Sequence, residues 1–150
     1  MQEQLITFET AKLAKEKGFN ICTKKVFVET LEHTLEMGRG GDCTFPYHAP
    51  RVLDSGKFEE YDIIHCNAPT QSLLQKWLRE VHNIHLNVEY YPDRETKKYC
   101  ITGDYKTLNQ WTWIDHEHDI NFNTYEEALE LGLKEGLELI EIVKTKQLGL

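Results

Sequence analysis

Between Leu73 and Tyr91 the hydrophobic period of this chain switches from helical to extended with no linker between the two. Leu73, Leu74, Trp77, Leu78 and Val81 recur at i, i+1, i+4, i+5 and i+8, which puts them on one face of a helix, while Gln75, Lys76, Arg79 and Glu80 take the other. From Ile84 the spacing becomes two. Ile84, Leu86, Val88 and Tyr90 share one side of a strand, and His85, Asn87, Glu89 and Tyr91 share the opposite side. A helix and a strand that each have one apolar face must bury those faces together, so the chain is read as α+β. Asn67 or Thr70 caps the helix, and Pro69 suits its first turn, where a missing N–H costs nothing.

The rest of the chain extends this plan. Ile6 and Thr7 form a staple and cap for a short helix over Phe8–Lys17, with Gly18 available for the left-handed position after it and Phe19 able to fold back. Lys25–Glu29 reads as a strand, Leu31–Met37 as a short helix, and Phe58–Cys66 as a further strand. Residues 38–66 are otherwise expected to be irregular or loop-rich. Lys98–Thr102 reads as the strand returning from Ile84–Tyr91, ended by Gly103-Asp104. Gln110–Ile114 is a third strand, with Trp111 and Trp113 expected on its buried face. Thr124-Tyr125-Glu126-Glu127 is a capping box that opens a C-terminal acidic amphipathic helix over 124–143. Gly132 and Gly136 lie on the apolar stripe of that helix, four apart, where each costs about 1 kcal/mol against alanine. Their placement there implies close approach to a neighbouring element. The expected architecture is an antiparallel sheet of three to five strands against two or three helices, in one domain spanning 1–150.

Charge narrows the function. Of 25 acidic and 17 basic residues, nine acids and a single base, Lys134, fall between Thr107 and Ile142, so this stretch carries the whole net charge of −8. Such a surface repels phosphate backbones and favours basic partners, so direct nucleic-acid binding is not expected. No stretch approaches the roughly 20 apolar residues that span a bilayer, and no secretory leader is evident, so a cytoplasmic protein without membrane partners is expected. Cys22, Cys43, Cys66 and Cys100 contain no C-x-x-C pair and read as reduced thiols.

Three groups of residues invite chemistry. His116 and His118, inside Asp115-His116-Glu117-His118-Asp119, share one side of an extended chain and are the candidate metal ligands, although no spaced third ligand accompanies them. Gly38-Arg39-Gly40-Gly41 could wrap a phosphate, with Arg39 supplying charge and Gly40 and Gly41 close backbone approach, yet it matches neither phosphate-loop motif. Tyr91, on the polar side of its strand, is placed to stack a base or a partner side chain. Cys43 with His48, and His65 beside Cys66, are read as structural. No catalytic signature is present, no catalytic residue is assigned, and no cofactor is expected.

Three segments also carry a resemblance: Ala68–Glu80 continuing through Val81-His82-Asn83-Ile84, Thr124–Glu130 with Gly136-Leu137, and Thr7–Ala14. Together, over about half of the chain, they resemble small uncharacterised proteins encoded by phages and integrated mobile elements of Bacteroides-type bacteria. The resemblance implies an accessory protein that works in the cytoplasm of a bacterial host. The leading expectation is a non-enzymatic binder of a host macromolecule, with a host or phage protein, basic in character, as partner and a role in countering defence or in host regulation. A homodimer stays open. The alternative is a binder of a small nucleotide or signalling ligand at Arg39, Gly40, Gly41 and Tyr91, and a metal-dependent enzyme using His116 and His118 stands behind it.

Overall fold

A computed structural model describes residues 3–30, 35–39, 62–92, 99–106, 111–114 and 122–147. The chain divides into two compact units, Leu5–Pro69 and Thr70–Leu150, the second joined by Met1–Gln4. Both mix helix with antiparallel sheet, in keeping with an α+β chain. The strands form two three-stranded sheets rather than the one expected.

In the first unit α1 (Phe8–Glu16) starts at Thr7, whose side chain accepts from the Thr10 N–H. It ends at Gly18, with φ 95°, after which the Phe19 N–H reaches back to the Ala14 carbonyl at 2.9 Å. The buried face of α1 is made of small residues, Thr10, Ala11 and Ala14. The sheet comprises β1 (Lys25–Thr30), β2 (Leu35–Arg39) and β3 (Asp62–Asn67), with β1 in the centre. Phe27 is buried and meets Phe8 of α1 edge to face at 5.6 Å.

Here the expectations need correction. Leu35-Glu36-Met37 is strand, not helix, and Gly38 and Arg39 continue it instead of opening a loop. Residues 31–37 are too few to reveal a period, and pairing with β1, which sets Phe27 opposite Met37, overrides a weak helical preference. Asp62–Asn67, by contrast, is strand where the Phe58–Cys66 strand was expected, running one residue past it, while residues 40–61 lie outside the described residues.

The second unit contains α2 (Gln71–His82), β4 (Ile84–Tyr90), β5 (Tyr99–Lys106), β6 (Trp111–Ile114) and α3 (Tyr125–Gln147). Thr70 caps α2 as Thr7 caps α1, and Asn83 turns the chain out of the helix in the left-handed region at φ 54°, which allows β4 to begin at once. The strands form a meander in the order β4-β5-β6. Both helices pack on one face of it, where Leu74, Leu78, Ile84, Leu133, Leu137 and Ile140 are all fully enclosed.

The two helices run parallel. Gln71, at the start of α2, donates from Nε2 to the Glu126 carbonyl and to Glu130 Oε2, both at 3.0 Å, at the start of α3. Midway, a Cβ added at Gly136 would stand 3.0 Å from Leu78 and 3.2 Å from Leu86, and one added at Gly132 would strike Ile101. The glycines therefore let α3 settle onto β4 and β5. Gln75 donates to the Leu86 carbonyl at 2.8 Å, satisfying an acceptor on an edge strand.

Three further expectations change in this unit. Val81 keeps the phase of the α2 stripe but sits in the last turn and is 57% exposed. Burial along β4 also fades, so that Tyr90 is 52% exposed although it alternates correctly with Ile84 and Leu86. β5 runs through Gly103-Asp104 to Lys106. Its register pairs buried Tyr105 with Thr112, and Lys106 and Asp104 with Trp111 and Trp113. The side chains of Trp111 and Trp113, expected on the buried face, lie outside those described.

No helix among the described residues is long and apolar enough to cross a membrane. Cys22 is disulfide-bonded, contrary to the expectation of reduced thiols throughout, whereas Cys66 and Cys100 are in no disulfide. A disulfide requires only that folding bring two Cβ atoms within about 4.5 Å, which spacing in the sequence does not reveal.

Candidate functional site

The residues picked out by sequence do not form one site. Arg39 ends β2 in the first unit, and Tyr91 follows β4 in the second. Gly40, Gly41, His116 and His118 lie outside the described residues. Among the described residues no group of three or more His, Cys, Asp or Glu side chains is arranged to hold a metal ion.

Tyr91 does belong to an ordered polar group. Alternation in β4 puts Glu89 and Tyr91 on the side of the sheet away from Ile84 and Leu86, and the hairpin register brings Cys100 opposite Glu89 and Thr102 opposite Asn87. The Tyr91 hydroxyl donates to Glu89 Oε2 at 2.8 Å, and the Thr102 hydroxyl donates to Glu89 Oε1 at 3.1 Å. The bond to Glu89, followed by one to Cys100, pushes the Tyr91 phenol up to about 12. It is therefore a neutral, positioned hydrogen-bond donor across the physiological range, unsuited to act as a base or nucleophile. Glu89 and Thr102 were missed by sequence reasoning. Glu89 could have been found as the residue two before Tyr91, but Thr102 needed the register.

Beside this group the hairpin carries an aromatic end. Tyr90 and Tyr99 are tilted against each other at 5.1 Å, and Tyr99 forms a two-bond bridge with Phe122, with N–H to carbonyl distances of 3.1 and 2.7 Å.

α3 offers a charged surface. Its sheet-facing side holds Ala128, Leu129, Leu133, Leu137, Ile140 and Val143 in the core, which fixes the rotation of the helix. Glu126, Glu127, Glu138 and Glu141 are then exposed, with Lys134 among them. Glu141 is 3.8 Å from Lys144, an exposed pair of little energetic weight. Ile142, on the same helix, is 45% exposed. This arrangement can attract cations and basic side chains from solution; nothing in it positions a proton or a nucleophile.

The last turn of α2 holds a different kind of group. His82 is depressed below its ordinary value of 6.5, first by burial and then by the charge of Lys144. Neither its partner Trp77 nor its burial was foreseen from sequence, where a histidine at a helix end reads as a complement to the dipole.

No protein-family model, curated protein or solved structure matches this chain. Function therefore rests on the groups described above.

Proposed function

We propose that this chain is a non-enzymatic accessory protein, encoded by a phage or mobile element of Bacteroides-type bacteria, that binds a basic host or phage protein in the bacterial cytoplasm. The observation that carries the reading is the fixed rotation of α3. Its apolar side is enclosed, so Glu127, Glu138 and Glu141 are held outward together with exposed Ile142. Acidic side chains around a small apolar contact suit a partner with lysine or arginine around an apolar patch, and the charge speeds encounter more than it adds affinity. The bacterial setting is part of the same proposal and rests only on the resemblance read from Thr7–Ala14, Ala68–Ile84 and Thr124–Glu130 with Gly136-Leu137.

The test is capture from host lysate with the wild-type chain beside an E127K/E138K/E141K variant. A protein enriched by the wild type and lost with the variant, at unchanged melting temperature, supports the reading. Equal capture by both, or none over a charge-matched control, removes it. The cytoplasmic part has its own check, because the Cys22 disulfide runs against a reducing compartment: fractionation of expressing cells that recovers the chain outside the cytoplasm removes it.

A second reading, a small-ligand binder, draws on the Glu89–Tyr91–Thr102 group beside the aromatic end of the hairpin. A nucleotide at 100 times its dissociation constant stabilises by about 2.7 kcal/mol. A nucleotide panel that raises the melting temperature of the wild type and not of Tyr91→Phe favours it.

A further inference from the structure

The last turn of α2 contains a buried nitrogen with nothing to satisfy it. His82 Nε2 is enclosed and has no hydrogen-bond partner, and the imidazole meets Trp77 at 4.5 Å between ring centroids and 73° between planes. A neutral imidazole can present an unprotonated ring nitrogen to such surroundings at modest cost. An imidazolium cannot, because both of its N–H groups require acceptors.

The surroundings also carry positive charge. On α3, Lys144 acts on His82 directly, and Glu141, 3.8 Å from the Lys144 ammonium, offsets part of that charge. Arg79 lies in the same last turn of α2. His85 comes next on β4, and Lys106 of β5 donates its backbone N–H to the Asn83 carbonyl at 3.1 Å. The C-terminal end of a helix favours a cation, but burial and Lys144 outweigh it here, and His82 is held in its neutral form.

Asn83 makes this turn separable from β4. It is the one non-glycine residue at positive φ among the described residues, and the Lys106 bond anchors it to the sheet. The turn before it can therefore open while β4 stays paired.

We propose that His82 is an acid-sensitive latch between α2 and α3: neutral, it holds the last turn of α2 closed over Trp77, and protonated, it leaves for water and releases that turn. The opened turn bares Trp77, now 7% exposed, next to Val81, already 57% exposed. An apolar surface absent at neutral pH then appears under mild acid. The device is independent of the acidic face of α3 and of any partner bound there.

The experiment is an NMR titration of the full chain from pH 7.5 to 5, following the His82 ring and the backbone amides of residues 77–83 and 140–144. His82 is expected to titrate below 6.5, with amides of both helices shifting at the same midpoint. In Lys144→Gln the midpoint is expected to rise; that side chain is 51% exposed, so its loss does not endanger the fold. In His82→Phe the amide shifts should vanish, and His82→Gln serves if the phenylalanine variant does not fold. A His82 midpoint at or above 6.5, amide shifts that persist without His82, or a midpoint unmoved in Lys144→Gln each overturns the latch.

Discussion

α1 and α2 begin with the same device and bury very different faces. Thr7 and Thr70 adopt nearly the same extended geometry, φ −71° and ψ 162° against φ −70° and ψ 156°, and each hydroxyl accepts from the N–H three residues on at 3.3 Å. Beyond the cap, α1 turns Thr10, Ala11 and Ala14 to the interior, whereas α2 turns Leu74, Trp77 and Leu78. A cap decides where a helix starts; the side chains on the inward face decide how firmly it is held. At about 1.5–3 kcal/mol for each large apolar side chain enclosed, α2 is part of a continuous core with β4, β5 and α3. Alanine gives α1 close approach and much less apolar burial.

That contrast can be broken most directly by truncation. Leu78→Ala removes a fully enclosed side chain that touches the α3 approach at Gly136, and denaturant melts are expected to show a loss of about 2–5 kcal/mol. Ala14→Gly in α1 removes a single methyl from a buried helical position, and about 1 kcal/mol is expected. Equal losses would mean that the two helices are held alike.

Close approach makes the next largest prediction. Alanine is the better helix former, yet Gly132→Ala is expected to destabilise by about 1–3 kcal/mol because its Cβ would strike Ile101. Ile101→Val in the same chain, which removes the clashing Cδ1, should recover part of that loss. A stabilised Gly132→Ala would show that α3 does not rest on β5 there.

The caps sharpen the comparison from the other side. Thr7→Ala and Thr70→Ala should each cost about 1 kcal/mol in thermal or denaturant melts. Near-equality is the expected result, since the geometry is shared even though the helices are not.

Protons separate the two faces of the second unit. A histidine held below 6.5 binds fewer protons folded than unfolded, so stability is level above that value and falls as the pH drops through it. His82→Gln should flatten that slope. On the other side of the sheet, Tyr91 should ionise near 12 by ultraviolet absorbance, and Glu89→Gln should bring it down. A raised tyrosine contributes its stability below 10 and loses it as the pH climbs toward 12. The effect on folding is the smallest of these, because Tyr91 is exposed.

What could be read from the sequence was whatever depends on residues near one another in the chain. α2, β4 and α3 are long enough for their periods to declare themselves, and Thr7, Thr70 and Thr124 each sit before the helix that their side chains cap. The misread parts depend on partners far away. Leu35–Arg39 is a strand because β1 lies beside it, and the division into two sheets arises from β3 pairing with β1 on the edge away from β2. Val81 and Tyr90 fit their patterns and are nevertheless exposed. Of the candidate ligand residues, only Tyr91 has described side-chain contacts, and its partner Thr102 comes from the returning strand.

The central claim is that α2 and α3 are locked together on one sheet as a single firmly held unit, with α1 held less firmly. Native-state amide hydrogen exchange tests it residue by residue. The amides of Leu74–Leu78 and Leu133–Ile140 are predicted to exchange together, through one opening, and more slowly than those of Ala11–Ala14. Protection in α1 equal to or greater than that in α2 and α3, or separate openings of α2 and α3 at neutral pH, would contradict it.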